Sequence, residues 1–266
     1  MQLGRYLFSL AVALLLLGWS GRAEAYPQFQ FSTDNAQCTM CHFSPGGGGL
    51  INDWGRGEAA DTISRGGNGD QLHGLWDPPE WMAIGGDFRM ALGVKDTESA
   101  ELDTLAFPMQ LDLYTRFAFG DFSLVVSPGV RHPARPREGI PNVSRYGARE
   151  HYLMWQPKVT GSYVRVGRFY APFGLRHADH TSYVRRDLGF YAWEETYGAS
   201  AGYLKGSEWE AHVTAYVRDP IVAAGPAGGG LAMMYERRFR EETAAWGVQS
   251  KIHVADDSVR SIVGGV

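Results

Sequence analysis

Met109-Gln110-Leu111-Asp112-Leu113-Tyr114-Thr115-Arg116-Phe117-Ala118-Phe119 alternates apolar and polar side chains along most of its length. Met109, Leu111, Leu113, Phe117 and Phe119 fall on one face of an extended chain. Gln110, Asp112, Tyr114 and Arg116 fall on the other. Successive side chains of a strand point to opposite sides, so this stretch reads as a strand with one apolar and one polar face.

The pattern recurs downstream. In 208–217, Trp209, Ala211, Val213, Ala215 and Val217 alternate with Glu208, Glu210, His212, Thr214 and Tyr216. Trp246, Val248, Ile252 and Val254 alternate with Gln249, Lys251 and His253. Further segments lie at 84–92, 122–130, 146–156, 162–170, 198–205 and 231–239, and 261–266 reads as the start of another. Turn-forming residues cluster between them, as at 133–142 and 225–230. Many segments approach the ~9–11 residues that a tilted strand needs to cross a bilayer, against ~5–6 for ordinary strands.

Alternation alone fits two architectures. One is an outer-membrane barrel, apolar outside and polar inside. The other is a soluble β-sandwich or barrel with its apolar face inward. Strand length, ionisable residues on the polar face and the supply of aromatics favour the membrane barrel over 82–266. The chain closes on Ser261-Ile262-Val263-Gly264-Gly265-Val266, without the final aromatic common in such barrels, and further strands are expected downstream.

The N-terminus carries Arg5, an apolar run from Leu7 to Trp19, and Ala23-Glu24-Ala25. This is the layout of a secretory signal over 1–25, cleaved after Ala25. No later stretch offers the ~18 consecutive apolar residues of a transmembrane helix. The net charge of −4 provides no basic field for nucleic acid.

Between signal and strands, 26–81 has little apolar periodicity, two glycine-rich runs and Pro78-Pro79 at its end. It holds both cysteines of the chain, in Cys38-Thr39-Met40-Cys41-His42. Two thiols at this spacing add to the two vinyl groups of one haem, and the adjacent histidine supplies an axial nitrogen to the iron. A structural zinc site wants four ligands, and only one Cys pair exists, although His42 and His73 would complete a set. A thioredoxin-type pair wants a βαβ setting that the glycines at 46–49 do not supply. A plain disulfide is the third option. After an export signal, one covalent haem c on Cys38, Cys41 and His42 is the favoured reading. It would also supply the apolar centre that so short a segment lacks.

For the second axial position, His73 is the only other histidine before the strands, and Met82 is the nearest following methionine. His73 is preferred; an open sixth site is the remaining alternative. His132, His177 and His180 lie among Arg131, Arg135, Arg137, Arg176, Arg185 and Arg186 in turn-like stretches. These read first as solvated loops, and secondarily as partners for haem propionates. Asp179 with the two neighbouring histidines is a weak metal candidate. No P-loop, HExxH or Ser/His/Asp constellation is present.

A haem-attachment run after a signal, followed by Leu50-Ile51-Asn52-Asp53-Trp54-Gly55-Arg56 and by amphipathic strands, resembles the fused cytochrome–porins of the outer membrane. The best known are the outer-membrane iron oxidases of iron-oxidising bacteria. Val164-Arg165-Val166-Gly167-Arg168-Phe169-Tyr170-Ala171-Pro172-Phe173-Gly174 is similar to a strand-into-loop stretch common in porin-like barrels. The resemblance implies an all-β chain: a small haem-bearing cytochrome c-like segment over 26–81, then an antiparallel outer-membrane β-barrel. It implies electron transfer between an extracellular electron donor, such as Fe(II), and a periplasmic electron carrier such as a soluble cytochrome, with outer-membrane lipid around the strands. Only Cys38, Cys41 and His42 carry over from the family motif, and this chain is shorter than the family's.

Two other functions compete. One is an outer-membrane pore with a structural or sensory haem, its lumen lined by Asp112, Arg116, Glu208, Glu210 and Lys251. The other is a soluble periplasmic cytochrome with a β domain. A catalytic haem enzyme is disfavoured, since no second haem motif and no clear acid–base pair accompany the site.

Overall fold

The computed structural model describes residues 37–61, 68–96, 102–131, 146–157, 159–174, 195–218, 228–239, 244–255 and 258–265. The signal at 1–25, and His132, His177, Asp179 and His180 with Arg135, Arg137, Arg176, Arg185 and Arg186, lie outside these residues.

Ten strands follow one another: β1 (Met82–Asp96), β2 (Leu102–Phe119), β3 (Phe122–Arg131), β4 (Tyr146–Trp155), β5 (Ser162–Phe169), β6 (Thr196–Lys205), β7 (Trp209–Arg218), β8 (Gly228–Phe239), β9 (Ala244–Ala255) and β10 (Ser258–Gly265). Each pairs with the next, in chain order, in one antiparallel sheet. The chain is therefore all-β, as the alternation predicts. β1 and β10 are the two edges and do not pair with one another among the described residues, so the sheet is not closed.

Three boundaries differ from the sequence reading. β2 begins at Leu102, ahead of the alternating stretch, and carries Pro108 next to the register shift between Arg89 and Met90. A bulge tolerates a residue with no N–H to donate. Glycines 228–230 belong to β8 rather than to a turn. The Tyr216 ring lies against Gly230, where an added Cβ would come within 2.7 Å of its hydroxyl oxygen. Glu208 sits in the tight β6–β7 turn, bonded to Lys205 at 3.0 Å, and not on the strand face.

One face is apolar and exposed, and the other buries charged and polar side chains together with Tyr152, Met154, Tyr163 and Phe169. Leu113, Leu153, Val166, Val213, Met233 and Val248 are exposed. Asp112, Arg165, Arg168, Glu195, Ser200 and Thr214 are buried on the other side. A sandwich core would reverse this order.

The sheet curls toward its polar side. Glycine faces tyrosine across neighbouring strands: Tyr152 opposite Gly167, Gly198 opposite Tyr216, Tyr163 opposite Gly202. At Gly202 an added Cβ would lie 2.4 Å from the Tyr163 ring. A ring laid over a glycine lets adjacent strands bend sharply and fills the gap left by the missing side chain. Residues 170–174 turn in after β5, and Phe173 packs with Tyr216, Ala232 and Ile262 from β7, β8 and β10.

The two ends of the sheet differ. At one end the described connections are tight, at Gly120-Asp121 and at 206–208. Aromatic side chains line the outer face there. Tyr203, Trp209, Tyr235 and Trp246 form a run across four strands, with centroid spacings of 5.2, 6.0 and 5.5 Å. Trp81 stacks on Phe117 at the same end. At the other end the chain between β3 and β4 spans 132–145, and that between β5 and β6 spans 170–195.

Candidate functional site

Cys38–Cys41 forms a single helical turn, α1, closed by the His42 amide donating to the Cys38 carbonyl at 2.9 Å. The two cysteines are not joined in a disulfide. His42 then bridges to Ile51, and the Phe43 amide donates to the Leu50 carbonyl at 3.2 Å. Residues 43–50 are thus an excursion whose ends are tied together just behind the histidine.

The excursion turns through Gly47, Gly48 and Gly49, each with positive φ, between 65° and 71°. A side chain at Gly47 would be strained by that backbone alone. Its Cβ would also sit 3.3 Å from the Cys38 Sγ and 4.0 Å from the His42 ring. Glycine therefore keeps the space beside the first thiol and the histidine clear.

Asn52 couples this turn to the next helix, α2 (Asp53–Ala59). Its Nδ2 donates to the carbonyls of Met40 at 2.8 Å and Thr39 at 3.2 Å. Its Oδ1 accepts from the Gly55 amide at 2.9 Å, as an N-cap does. Gly55 rests on the Cys41 carbonyl so closely that an added Cβ would lie 2.4 Å from that oxygen. The Leu50–Arg56 stretch that carries the family resemblance is thus the clamp on the cysteine turn. Sequence reasoning gave Asn52 and Gly47 no role; an N-cap residue ahead of a glycine-containing helix was the available signal.

The cysteine segment does not stand apart as a cytochrome domain among the described residues. It has only two short helices and leans on the polar face of the sheet. Phe43 lies under the Arg116 guanidinium of β2 at 4.5 Å. The Ser44 hydroxyl accepts from Arg165 of β5 at 3.3 Å. Leu50 is buried and faces Gly85 of β1, and the Gln37 side-chain amide donates to the Gly206 carbonyl in the β6–β7 turn. The segment is therefore held on the inner face.

His73 lies in a 3-10 turn, Gln71–Gly74, exposed and with φ +57°. The turn is tied to the sheet by Gln71 donating to the Ile84 carbonyl at 3.0 Å. Met82 is the first residue of β1, opposite Phe117. Among the described residues no three His, Cys, Asp or Glu side chains converge as a metal-ligand group.

Around the segment, the inner face is wired by ion pairs. Arg149 meets Asp112 at 3.0 Å and Glu195 at 3.1 Å, and Arg168 reaches the second oxygen of Glu195 at 3.3 Å. Arg238 pairs with Glu210 at 3.1 Å and Glu236 at 2.6 Å. His212 and Ser200 share the Tyr163 hydroxyl, at 2.9 and 3.2 Å. Asp112 and Glu210 are thus buried in pairs rather than lining open water.

The residues present fit a covalent haem. Two unbridged thiols and a histidine lie on one turn, and a glycine keeps the approach to Cys38 and His42 open. Burial, and then the negative charge of Glu58, push the Cys41 thiol above its ordinary value, so at neutral pH it holds its proton. Comparison with protein-family models, curated proteins and solved structures finds no match to this chain.

Proposed function

We propose that this chain is a single-haem c-type cytochrome fused to an outer-membrane barrel, and that it passes electrons between an extracellular donor and a periplasmic carrier. The observation that carries this reading is the placement of Phe43 and Ser44, the two residues directly after the Cys38–His42 turn, against the polar inner face of a curled sheet whose other face is apolar. An apolar outer band with aromatics toward one end suits a lipid surround. The export signal read at 1–25 agrees with that destination.

Cys38 and Cys41 would hold haem c through thioether bonds, and His42 would bind its iron. When bound, the haem would supply one-electron exchange. The chain's own residues hold the attachment turn in shape through Asn52 and Gly55, leave space through Gly47, and wall the site with inner-face strands. His73, the other histidine ahead of the strands, stays a candidate second ligand to the iron, and Fe(II) stays a candidate donor on the resemblance.

The soluble alternative needs an apolar inner face, which the burial pattern opposes. The pore alternative draws on the charged inner face, but the cysteine segment occupies part of that face.

The test is haem-stained denaturing electrophoresis of the detergent-extracted outer-membrane fraction, heated and unheated, from cells with a cytochrome c maturation system. A haem-staining band that shifts on heating supports the proposal. A staining band confined to the soluble periplasm removes the barrel. Exported protein with no staining removes the haem.

A further inference from the structure

Among the described residues, arginines of the inner face fall into two classes. Arg149, Arg168 and Arg238 each meet a carboxylate within 3.3 Å. Arg116 and Arg165 meet none among the described residues. Arg165 is 1% exposed. It donates to the Ser44 hydroxyl and to the Tyr170 carbonyl at 3.0 Å, and its guanidinium stacks 3.9 Å over Phe169, while its Nε has no hydrogen-bond partner. Arg116 lies over Phe43, and its Nε is likewise buried without one. Glu150 is buried beside Gly49.

Both cations therefore converge on Phe43 and Ser44, the two residues after His42. A buried guanidinium with only neutral partners is costly, because desolvation is not offset by an opposite charge. Such a pair is stabilised by an anion that arrives with the ligand. A haem tethered at Cys38 and Cys41 brings two carboxylates, its propionates, and arginine binds carboxylate through charge-assisted hydrogen bonds.

We infer that Arg116 and Arg165 form the receptor for the haem propionates. This rests on the functional proposal above. These are positioning residues. They set the haem's orientation and, by placing positive charge near it, favour the reduced iron.

The experiment is redox titration of the purified, haem-loaded protein at pH 8, where free propionates are ionised. The midpoint potential is expected to fall in Arg165→Gln and in Arg116→Gln. It should be largely restored in Arg165→Lys, and unchanged in Arg237→Gln, an exposed arginine on β8. If Arg165→Gln does not fold, Arg116→Gln and Arg165→Lys decide. Wild-type potentials in Arg116→Gln and Arg165→Gln, with haem attached, overturn the inference and leave the cytochrome reading standing. A wild-type potential that follows added chloride or phosphate places a free anion at the pair and also overturns it. Absence of covalent haem in the wild type removes both readings together.

Discussion

The Asn52 side-chain amide donates to the Met40 carbonyl at 2.8 Å, closing the open end of the cysteine turn from the far side of the glycine excursion. The other end of the same amide caps α2. Asn52→Ala removes both functions. The expected cost is ~1–2 kcal/mol of stability, the usual range for a lost cap. The yield of covalent haem per exported chain should fall with it. Haem-stain intensity against total protein measures this. Asn52→Asp keeps the cap but turns an acceptor toward two carbonyls, so it should not rescue haem yield.

Two glycines of the same helix should behave oppositely on substitution. Gly55→Ala drives a methyl into the Cys41 carbonyl, 2.4 Å away, so the helix must lift from the cysteine turn. Destabilisation above ~2 kcal/mol and loss of haem are expected. Gly57→Ala meets nothing within 4 Å and should gain ~0.5–1 kcal/mol from helix propensity. Chemical denaturation of the two variants side by side checks the contrast.

Leu153 and Leu113 are exposed on the apolar face of β4 and β2. In a lipid surround, Leu153→Arg should cost ~2–4 kcal/mol if it lies near the midplane. At an aqueous surface the same change stays within about 0.5 kcal/mol. The midpoint of folding into lipid vesicles, titrated with urea, distinguishes the two. A neutral result at both positions contradicts the membrane reading.

Glu195 is wholly buried and bridges Arg149 to Arg168. Glu195→Gln leaves two guanidinium groups facing a neutral amide. Breaking a buried pair from one side costs ~3–5 kcal/mol. The heat-modifiable band should be lost or shift to a lower temperature, with export unaffected.

The Cys41 thiol is raised above its ordinary 9.0, first by burial and then by Glu58. The folded chain without haem therefore holds this proton more tightly than the unfolded chain. Its contribution to stability is complete below about pH 9 and is lost as pH rises through the raised value. Relative to Cys41→Ser, the haem-free protein should lose melting temperature above that pH. The haem-loaded protein should not, since a thioether sulfur does not titrate. Glu58→Gln should speed alkylation of Cys41 at pH 8, by less than about threefold.

The strands were legible because alternation is local. A face is written every second residue, so 122–130 and 208–217 announce themselves to within a residue or two. The CxxCH run is likewise local, five adjacent residues, and the haem expected on it is decided by the staining experiment. Period two is symmetric, however, and says nothing about which face turns inward. That sense came from the curl, which depends on Tyr163 meeting Gly202 and Tyr216 meeting Gly198 across neighbouring strands. Register of this kind depends on the pairing of separated strands, and neither strand alone reports it.

The same holds for charge. Arg149 and Arg165 are indistinguishable as letters, both sitting among alternating residues. One finds Asp112 and Glu195, 37 and 46 residues away in the chain, and the other finds only Ser44, a backbone carbonyl and aromatic rings. Local alternation marked where the strands lie and made the chain all-β. Long-range folding set which charges are neutralised, which face is apolar to the outside, and that Phe43 and Ser44, directly after the cysteine turn, lie against the inner wall.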